Sequence, residues 1–204
     1  MSFFTTAAPE RTMPLILAST STYRRDLLNR LGLAFEVCSP GVDETPLAGE
    51  RPDDLAMRLA LAKAQAVAGQ HPGAVVIGSD QVADLHGEPL GKPGNHANAV
   101  TQLRRQSGQA VVFQTAVAVV CLDRHFAKTA LASVQVQFRT LNEADIEAYL
   151  RVEPAYDCAG SAKSEGLGIA LLERIDSDDP TSLIGLPLMR TCALLRELGI
   201  RVPA

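Results

Sequence analysis

The stretch Val75-Val76-Ile77-Gly78-Ser79-Asp80-Gln81-Val82 limits the fold of this chain more than any other. Branched apolar residues run up to a glycine, the pattern of a strand buried on both faces. In open α/β sheets, ligands sit just outside the carboxyl ends of the strands. Asp80 follows the apolar run directly, with a hydroxyl before it and an amide after it, so it stands where chemistry is done in such sheets. The plain alternative is an Asp that only caps a turn. Matching cations elsewhere in the chain weigh against it.

The first of these lie near the start. Leu15-Ile16-Leu17-Ala18 is a short apolar strand, followed by the hydroxyl-rich turn Ser19-Thr20-Ser21-Thr22. A helix then runs through Leu27, Leu28 and Leu31 to Gly32, a natural helix-terminating glycine. A helix N-terminus offers free N–H groups and a positive dipole end, which together make an anion site. Arg24 and Arg25 fall in that first turn. Cations there oppose the dipole by roughly 0.3–1 kcal/mol each when exposed, a defect that a bound anion removes. Two solvated arginines on a surface helix are the alternative.

Phe35 to Cys38 reads as a second strand, leading into the loop Ser39–Pro46 with adjacent carboxylates at Asp43 and Glu44. A helix is expected from Pro52, a good first-turn residue, to Gly69. Its apolar face takes Leu59, Ala62, Ala66 and Val67, and Lys63 falls on that face too. Lys63 either snorkels or reaches into a site. Lys92 sits between Gly91 and Pro93 on a loop. A helix is expected near Ala97–Arg105, then a long β-branched strand over Ala110–Leu122 and a half-buried one over Leu131–Phe138. Asn142 is placed to cap a helix carrying Ile146, Tyr149 and Leu150. Ala159–Gly166 reads as a small-residue loop with one buried acid, Glu165, and Leu167–Leu172 as a resumed strand. Asp176–Pro180 reads as a solvated acidic turn, and a last amphipathic helix carries Leu188, Leu194, Leu195 and Leu198.

With 204 residues, the chain has room for one domain, expected over 14–204 behind a flexible N-terminal tail at 1–13 that lacks the apolar core of a signal peptide. No apolar run approaches the ~20 residues that span a bilayer, so no membrane partner is expected. The net charge of −4 argues against binding a nucleic-acid polymer. The four cysteines are scattered without a CxxC pair, which points to reduced thiols and a cytoplasmic protein.

Taken together, Leu17-Ala18-Ser19-Thr20-Ser21 with Arg24-Arg25, Val42-Asp43-Glu44, Leu61-Ala62-Lys63-Ala64, Gly78-Ser79-Asp80, Gly91-Lys92-Pro93, Ala159-Gly160-Ser161 and Ile184-Gly185-Leu186-Pro187 resemble the Maf-like nucleotide pyrophosphatases, the septum-formation-inhibitor homologues. Each motif alone is weak; their order and spacing from Pro14 to Gly199 are specific. The resemblance implies a mixed α/β fold, an elongated twisted sheet flanked by helices, with two lobes around a nucleotide cleft as in inosine-triphosphatase-like proteins. It implies hydrolysis of a nucleoside triphosphate to the monophosphate and pyrophosphate with a divalent metal, Mg or Mn, and it suggests a homodimer. By position, Asp80 matches the catalytic proton acceptor. Ser19, Arg24, Arg25, Lys63 and Lys92 match phosphate-contacting positions, and Glu44 matches the metal-associated acid, with Asp80 as a second carboxylate for the metal.

Ser79-Asp80-Gln81 and Lys163-Ser164-Glu165-Gly166 resemble the branch acting on 7-methyl-GTP, with Tyr23, Gln81 and Glu165 as base-reading positions. The dTTP/UTP branch carries Thr and Gln at the places of Gln81 and Glu165. Thr22 stands where the family commonly has proline, and Tyr23 where this branch often has Trp. Two rival readings are a pyrophosphatase of canonical pyrimidine triphosphates and a non-catalytic nucleotide-binding regulator of cell division. The intact Asp80, Lys63 and Lys92 weigh against the second.

Overall fold

A computed structural model describes residues 13–203. The expected N-terminal tail falls almost wholly outside the described residues. Twelve principal elements follow one another: β1 (Leu15–Ala18), α1 (Thr22–Asn29), β2 (Glu36–Cys38), α2 (Pro52–Ala68), β3 (Val75–Leu85), β4 (Glu88–Leu90), α3 (His96–Gln106), β5 (Ala110–Cys121), β6 (Phe126–Phe138), α4 (Glu143–Val152), β7 (Leu172–Asp176) and α5 (Leu188–Glu197). The strands form one seven-stranded sheet in the order β2-β1-β3-β5-β6-β7, with β4 paired to β3 off that path. β1 pairs parallel to β2 and β3, and the remaining pairings are antiparallel. The mixed α/β class expected from the sequence is what the chain adopts.

Three apolar clusters explain the layering. On one face, α2 lays Leu55, Leu59, Ala60, Ala64 and Val67 against Ile16, Val76 and Val120. On the other, Leu27 and Leu28 of α1 and Leu194 and Leu195 of α5 cover Leu17, Ile77 and Val119. β3 is thus buried on both faces, as its apolar run requires. A third cluster gathers α3 and α4 over the far ends of β3, β5 and β6, through Leu103, Ile146 and Leu150 against Phe113, Val134 and Phe138. The cleft opens between this body and the first two clusters.

Several boundaries differ from expectation for physical reasons. Asp80 does not follow the end of a strand; it lies inside the eleven-residue β3. The parallel register with β1 ends at Ala18↔Gly78, while β5 pairs β3 from Val76 to Asp84. Asp80 therefore stands beyond the carboxyl end of the parallel part, although its own strand continues. The buried stripe of α2 takes Leu55, Ala56, Leu59, Ala60, Lys63, Ala64, Val67 and Ala68; Ala62 and Ala66 are only partly buried. The cause is Gly78, where a Cβ would lie 2.3 Å from the Ala60 carbonyl oxygen and 2.6 Å from the Ala64 nitrogen. The helix seats its backbone on that glycine, which selects the face carrying Ala60 and Ala64.

β6 begins at Phe126, five residues before the expected Leu131, because β5 continues to pair it as far as Cys121↔Phe126. Leu167–Leu171 is a 3₁₀ turn, not a strand, and pairing resumes only at Leu172. Gly168 packs so closely on the Lys163 backbone that a Cβ would lie 2.5 Å from its nitrogen, so the segment curls back on itself. The acidic turn is not wholly solvated: Asp179 is fully buried, and its carboxylate accepts from Thr181 Oγ1 at 3.2 Å and from the Arg190 amide at 3.2 Å.

Candidate active site

Several segments converge on the cleft, which has a volume of about 820 Å³, and three of them build its floor and back wall. The first is the turn from β1 into α1. Ser21 caps the helix, accepting from the Arg24 amide at 3.4 Å. Ser19, buried to 4% exposure, accepts from the Ser21 amide at 3.1 Å. The turn is thus held by its own hydroxyls. Arg24 reaches inward and donates from Nε to the Gly185 carbonyl at 2.9 Å. Burial pushes its pKa down, and the charges of Asp80 and Glu44 oppose that push.

The second segment is α2. Lys63 is 4% exposed, and its Nζ stands 2.6 Å from Glu44 Oε1 and 2.6 Å from Asp80 Oδ1. It does not snorkel. The close seat at Gly78 brings Lys63, between Ala60 and Ala64, within reach of Asp80 two residues farther along β3. A buried ammonium between two carboxylates satisfies the rule that buried charges are paired. Burial pushes the Glu44 carboxyl up, but the Lys63 ammonium, with Lys92 and Arg24 behind it, outweighs that and holds it below the usual carboxylate range. Lys92, exposed on its loop, also lines the cleft.

The third segment is the 3₁₀ turn Ser182–Ile184 with Gly185. Gln81 donates from Nε2 to Ser182 O at 2.9 Å, Leu183 O at 3.0 Å and Thr115 Oγ1 at 3.0 Å. The buried Ser79 donates to Ala116 O at 2.8 Å and to Gly185 O at 3.0 Å. The Gly185 carbonyl thus accepts from both β3 and α1, and it ties the back wall of the cleft to the Arg24 side chain. Gln81 lines the cleft, but its amide nitrogen is spent on the wall.

Tyr23 sits on the cleft wall beside Asp157. Its hydroxyl donates to Asp157 Oδ2 at 3.2 Å. The Lys163 ammonium lies 5.3 Å from the ring centroid and 2.9 Å from Asp157 Oδ1. One face of the aromatic therefore already carries a cation. Burial lowers the Lys163 pKa, but Tyr23 and Asp157 outweigh it and raise it overall.

The cleft brings together Ser19, Tyr23, Arg24, Glu44, Lys63, Asp80, Gln81 and Lys92. Two expected residues are not among those lining it. Arg25 is half exposed and pairs with its neighbour Asp26 at 3.6 Å, because it follows Arg24 on the helix and points to another side. Glu165 is exposed rather than buried. It lines a smaller cavity of about 370 Å³ that shares Ile184 with the cleft. Desolvation, and then the nearby carboxylates Glu153 and Asp157, push its carboxyl up, an effect that its solvent exposure weakens.

Ser79, Thr115, Gly185, Asp157 and Lys163 build the site without having been singled out for a role. The motif Ile184-Gly185-Leu186-Pro187 was the one available signal for the wall; nothing in the spacing announces Asp157.

The donor chemistry suits a divalent cation. Glu44 and Asp80 bring two carboxylates to the same point of the cleft, where they meet at Lys63 Nζ, and Mg²⁺ prefers oxygen donors, with one or two carboxylates among them. Among the described residues, no group of three or more His, Cys, Asp or Glu is placed to bind a metal.

The family pattern of Maf-like proteins matches residues 14–198. A protein of Polaromonas sp. (strain JS666) named 7-methyl-GTP pyrophosphatase is 66% identical over 195 residues, 96% of this chain and 89% of that protein. One of Albidiferax ferrireducens with the same name is 64% identical over 188 residues, 92% and 94% of the two chains. The solved structure of a HAM1 protein from Coxiella burnetii matches 91% of this chain and all of its own, with a TM-score of 0.52 and 14% identity; this likeness concerns the fold alone. On the family pattern and these relatives, the chain belongs to the Maf-like protein family.

Proposed function

We propose that this chain hydrolyses 7-methyl-GTP to 7-methyl-GMP and pyrophosphate, clearing a modified nucleotide, as a single domain over 14–204 working in the cytoplasm. The observation that carries the reaction type is the Lys63 ammonium held between Glu44 and Asp80 at 2.6 Å from each, with Arg24 and Lys92 in the same cleft. The base assignment is supported by the names of relatives that are 54–66% identical. All four cysteines are free, and among the described residues no helix is long and apolar enough to cross a membrane.

Phosphoryl chemistry asks a protein mainly for positioning and charge stabilisation. Arg24, Lys63 and Lys92 offer cations to the triphosphate, and the Ser19 turn at the start of α1 offers hydroxyl and amide donors. Glu44 and Asp80 would hold the divalent metal, which when bound screens phosphate charge and lowers the pKa of water. Asp80 Oδ1 is committed to Lys63, which leaves Oδ2 to take a proton from the attacking water. The water oxygen bonds to the α-phosphorus, the Pα–O–Pβ bridge breaks, and pyrophosphate leaves.

Tyr23, Gln81 and Glu165 are proposed to read the base. Methylation at N7 gives guanine a delocalised positive charge, which an aromatic ring and carboxylates attract. Tyr23 supplies the ring, and the adjoining Asp157 and the nearby Glu165 supply the carboxylates. Gln81 acts through the Ser182–Ile184 wall that it holds.

A nucleotide panel tests the proposal. With Mg²⁺ or Mn²⁺, kcat/KM should be highest for 7-methyl-GTP among 7-methyl-GTP, GTP, dTTP and UTP, with pyrophosphate as product. A preference for dTTP or UTP, or release of single phosphates, contradicts it.

A further inference from the structure

The segment between β2 and α2 that carries Glu44 contains no strand or helix, yet it must hold a carboxylate within hydrogen-bonding distance of a buried lysine. Its own bonds are local. Asp43 Oδ1 accepts from the Thr45 amide at 2.9 Å and the Thr45 hydroxyl at 2.7 Å, which closes a tight turn around Glu44. Glu50 Oε2 accepts from the Leu47 amide at 2.9 Å. Neither contact attaches the segment to the rest of the protein.

Arg58 makes that attachment. Its guanidinium forks onto Glu50, Nε to Oε1 at 2.5 Å and Nη2 to Oε2 at 2.8 Å, and Nη2 also donates to the Thr45 carbonyl at 3.2 Å. The Glu50 side chain is 8% exposed. Bidentate arginine–carboxylate pairs fix geometry as well as adding energy. Arg58 lies five residues before Lys63 on the same rigid helix. One cation of α2 thus holds the frame of the segment, and the other holds the carboxylate that the frame presents.

We propose that Arg58 and Glu50 are positioning residues for Glu44: their fork sets the carboxylate where it shares a divalent cation with Asp80. The inference rests on the reading of Glu44 as a metal-associated acid. It concerns Arg58, Glu50 and the Thr45 carbonyl, none of which is among the residues lining the cleft.

The test uses the full chain with Arg58→Met, Arg58→Lys and Glu44→Gln, and with Arg58→Met combined with Glu44→Gln. Mn²⁺ affinity is read directly by titration calorimetry, and kcat and KM by pyrophosphate release. Arg58→Met should weaken Mn²⁺ binding and lower kcat by about 10–100-fold, the usual scale for groups that orient a metal ligand. Arg58→Lys, which keeps the charge and one bond, should recover part of both. In the Glu44→Gln background, Arg58→Met should add no more than about a twofold loss, because coupled residues are non-additive. A lowered melting temperature with unchanged Mn²⁺ affinity and kcat would make the fork a structural clip and overturn the proposal, as would losses that multiply independently of Glu44. If Glu44→Gln itself leaves Mn²⁺ binding and turnover intact, both this inference and the reading of Glu44 fail, whereas independence from Glu44 alone sinks only the inference.

Discussion

Replacing Lys63 by methionine keeps most of the side-chain volume and removes the charge that Glu44 and Asp80 share. Breaking a buried ion pair on one side costs about 3–5 kcal/mol, because the other partner stays buried without compensation. Here two carboxylates lose their partner, but Glu44 is 52% exposed and the site opens to the cleft, so ~2–3 kcal/mol is the expected loss. For a chain of this size, that lowers the melting temperature by about 4–12 °C. The loss should depend on pH. In the wild type, Glu44 is held below its ordinary value, so its contribution to stability is present above the unfolded-state pKa and disappears as pH falls through the folded one. Without the ammonium, that contribution is gone and two carboxylates face each other, so the deficit should be largest near neutral pH and shrink below about pH 4. Scanning calorimetry at several pH values reads this. Turnover should fall by about 10²-fold or more, the scale for a preorganised electrostatic donor. Combining Lys63→Met with Asp80→Asn removes one orphaned charge, so it should restore part of the melting temperature and none of the activity. A single variant that melts and turns over like the wild type would show that the ammonium does not hold the carboxylates.

Four further outcomes are expected. Asp80→Asn should lower kcat by at least ~10²-fold while the protein remains folded, since basicity is lost and volume is kept; near-normal turnover with a normal melting curve removes Asp80 from the chemistry. Gly78→Ala should be destabilising and nearly inactive, because the new Cβ meets backbone atoms of α2 at 2.3 and 2.6 Å and must push Lys63 away from Asp80; normal stability and kcat would refute the seat. Glu165→Gln should reduce the preference for 7-methyl-GTP over GTP by about tenfold if one charge-assisted contact is weakened, and an unchanged ratio of kcat/KM values excludes it from base reading. EDTA should abolish pyrophosphate release and added Mg²⁺ or Mn²⁺ should restore it; turnover that survives EDTA counts against the metal.

The parts of the fold legible in the sequence are those fixed by local pattern. The apolar run ending at Gly78, the Ser21 cap before Arg24, Pro52 at the start of α2 and the Asn142 capping box each act within a few residues, so the order of the elements can be read directly. The parts that were not legible depend on contacts distant in the chain. The buried stripe of α2 differs from the one its own periodicity predicts, because the selecting contact is a glycine on β3, not a residue of the helix. Arg25 and Arg24 are indistinguishable by type, and only the Gly185 carbonyl, 161 positions from Arg24, separates them. Gln81 has the composition of a base reader, yet its nitrogen serves backbone carbonyls about a hundred residues away.

These distant contacts also account for how the site keeps like charges together before any substrate arrives. Glu44 and Asp80 would repel each other across the cleft, but Lys63 stands between them. Asp157 is paired with Lys163 and accepts from Tyr23. Each of these carboxylates is therefore met by a cation: Lys63 of α2 for Glu44 and Asp80, and Lys163 of the loop after α4 for Asp157. Arg24 donates from Nε to the Gly185 carbonyl, and Lys92 is exposed where it lines the cleft. Among the residues that line the cleft, Arg24, Lys63 and Lys92 balance Glu44, Asp80 and Asp157, and Lys163 adds one cation beside Asp157, so the local balance is less negative than that of the chain as a whole.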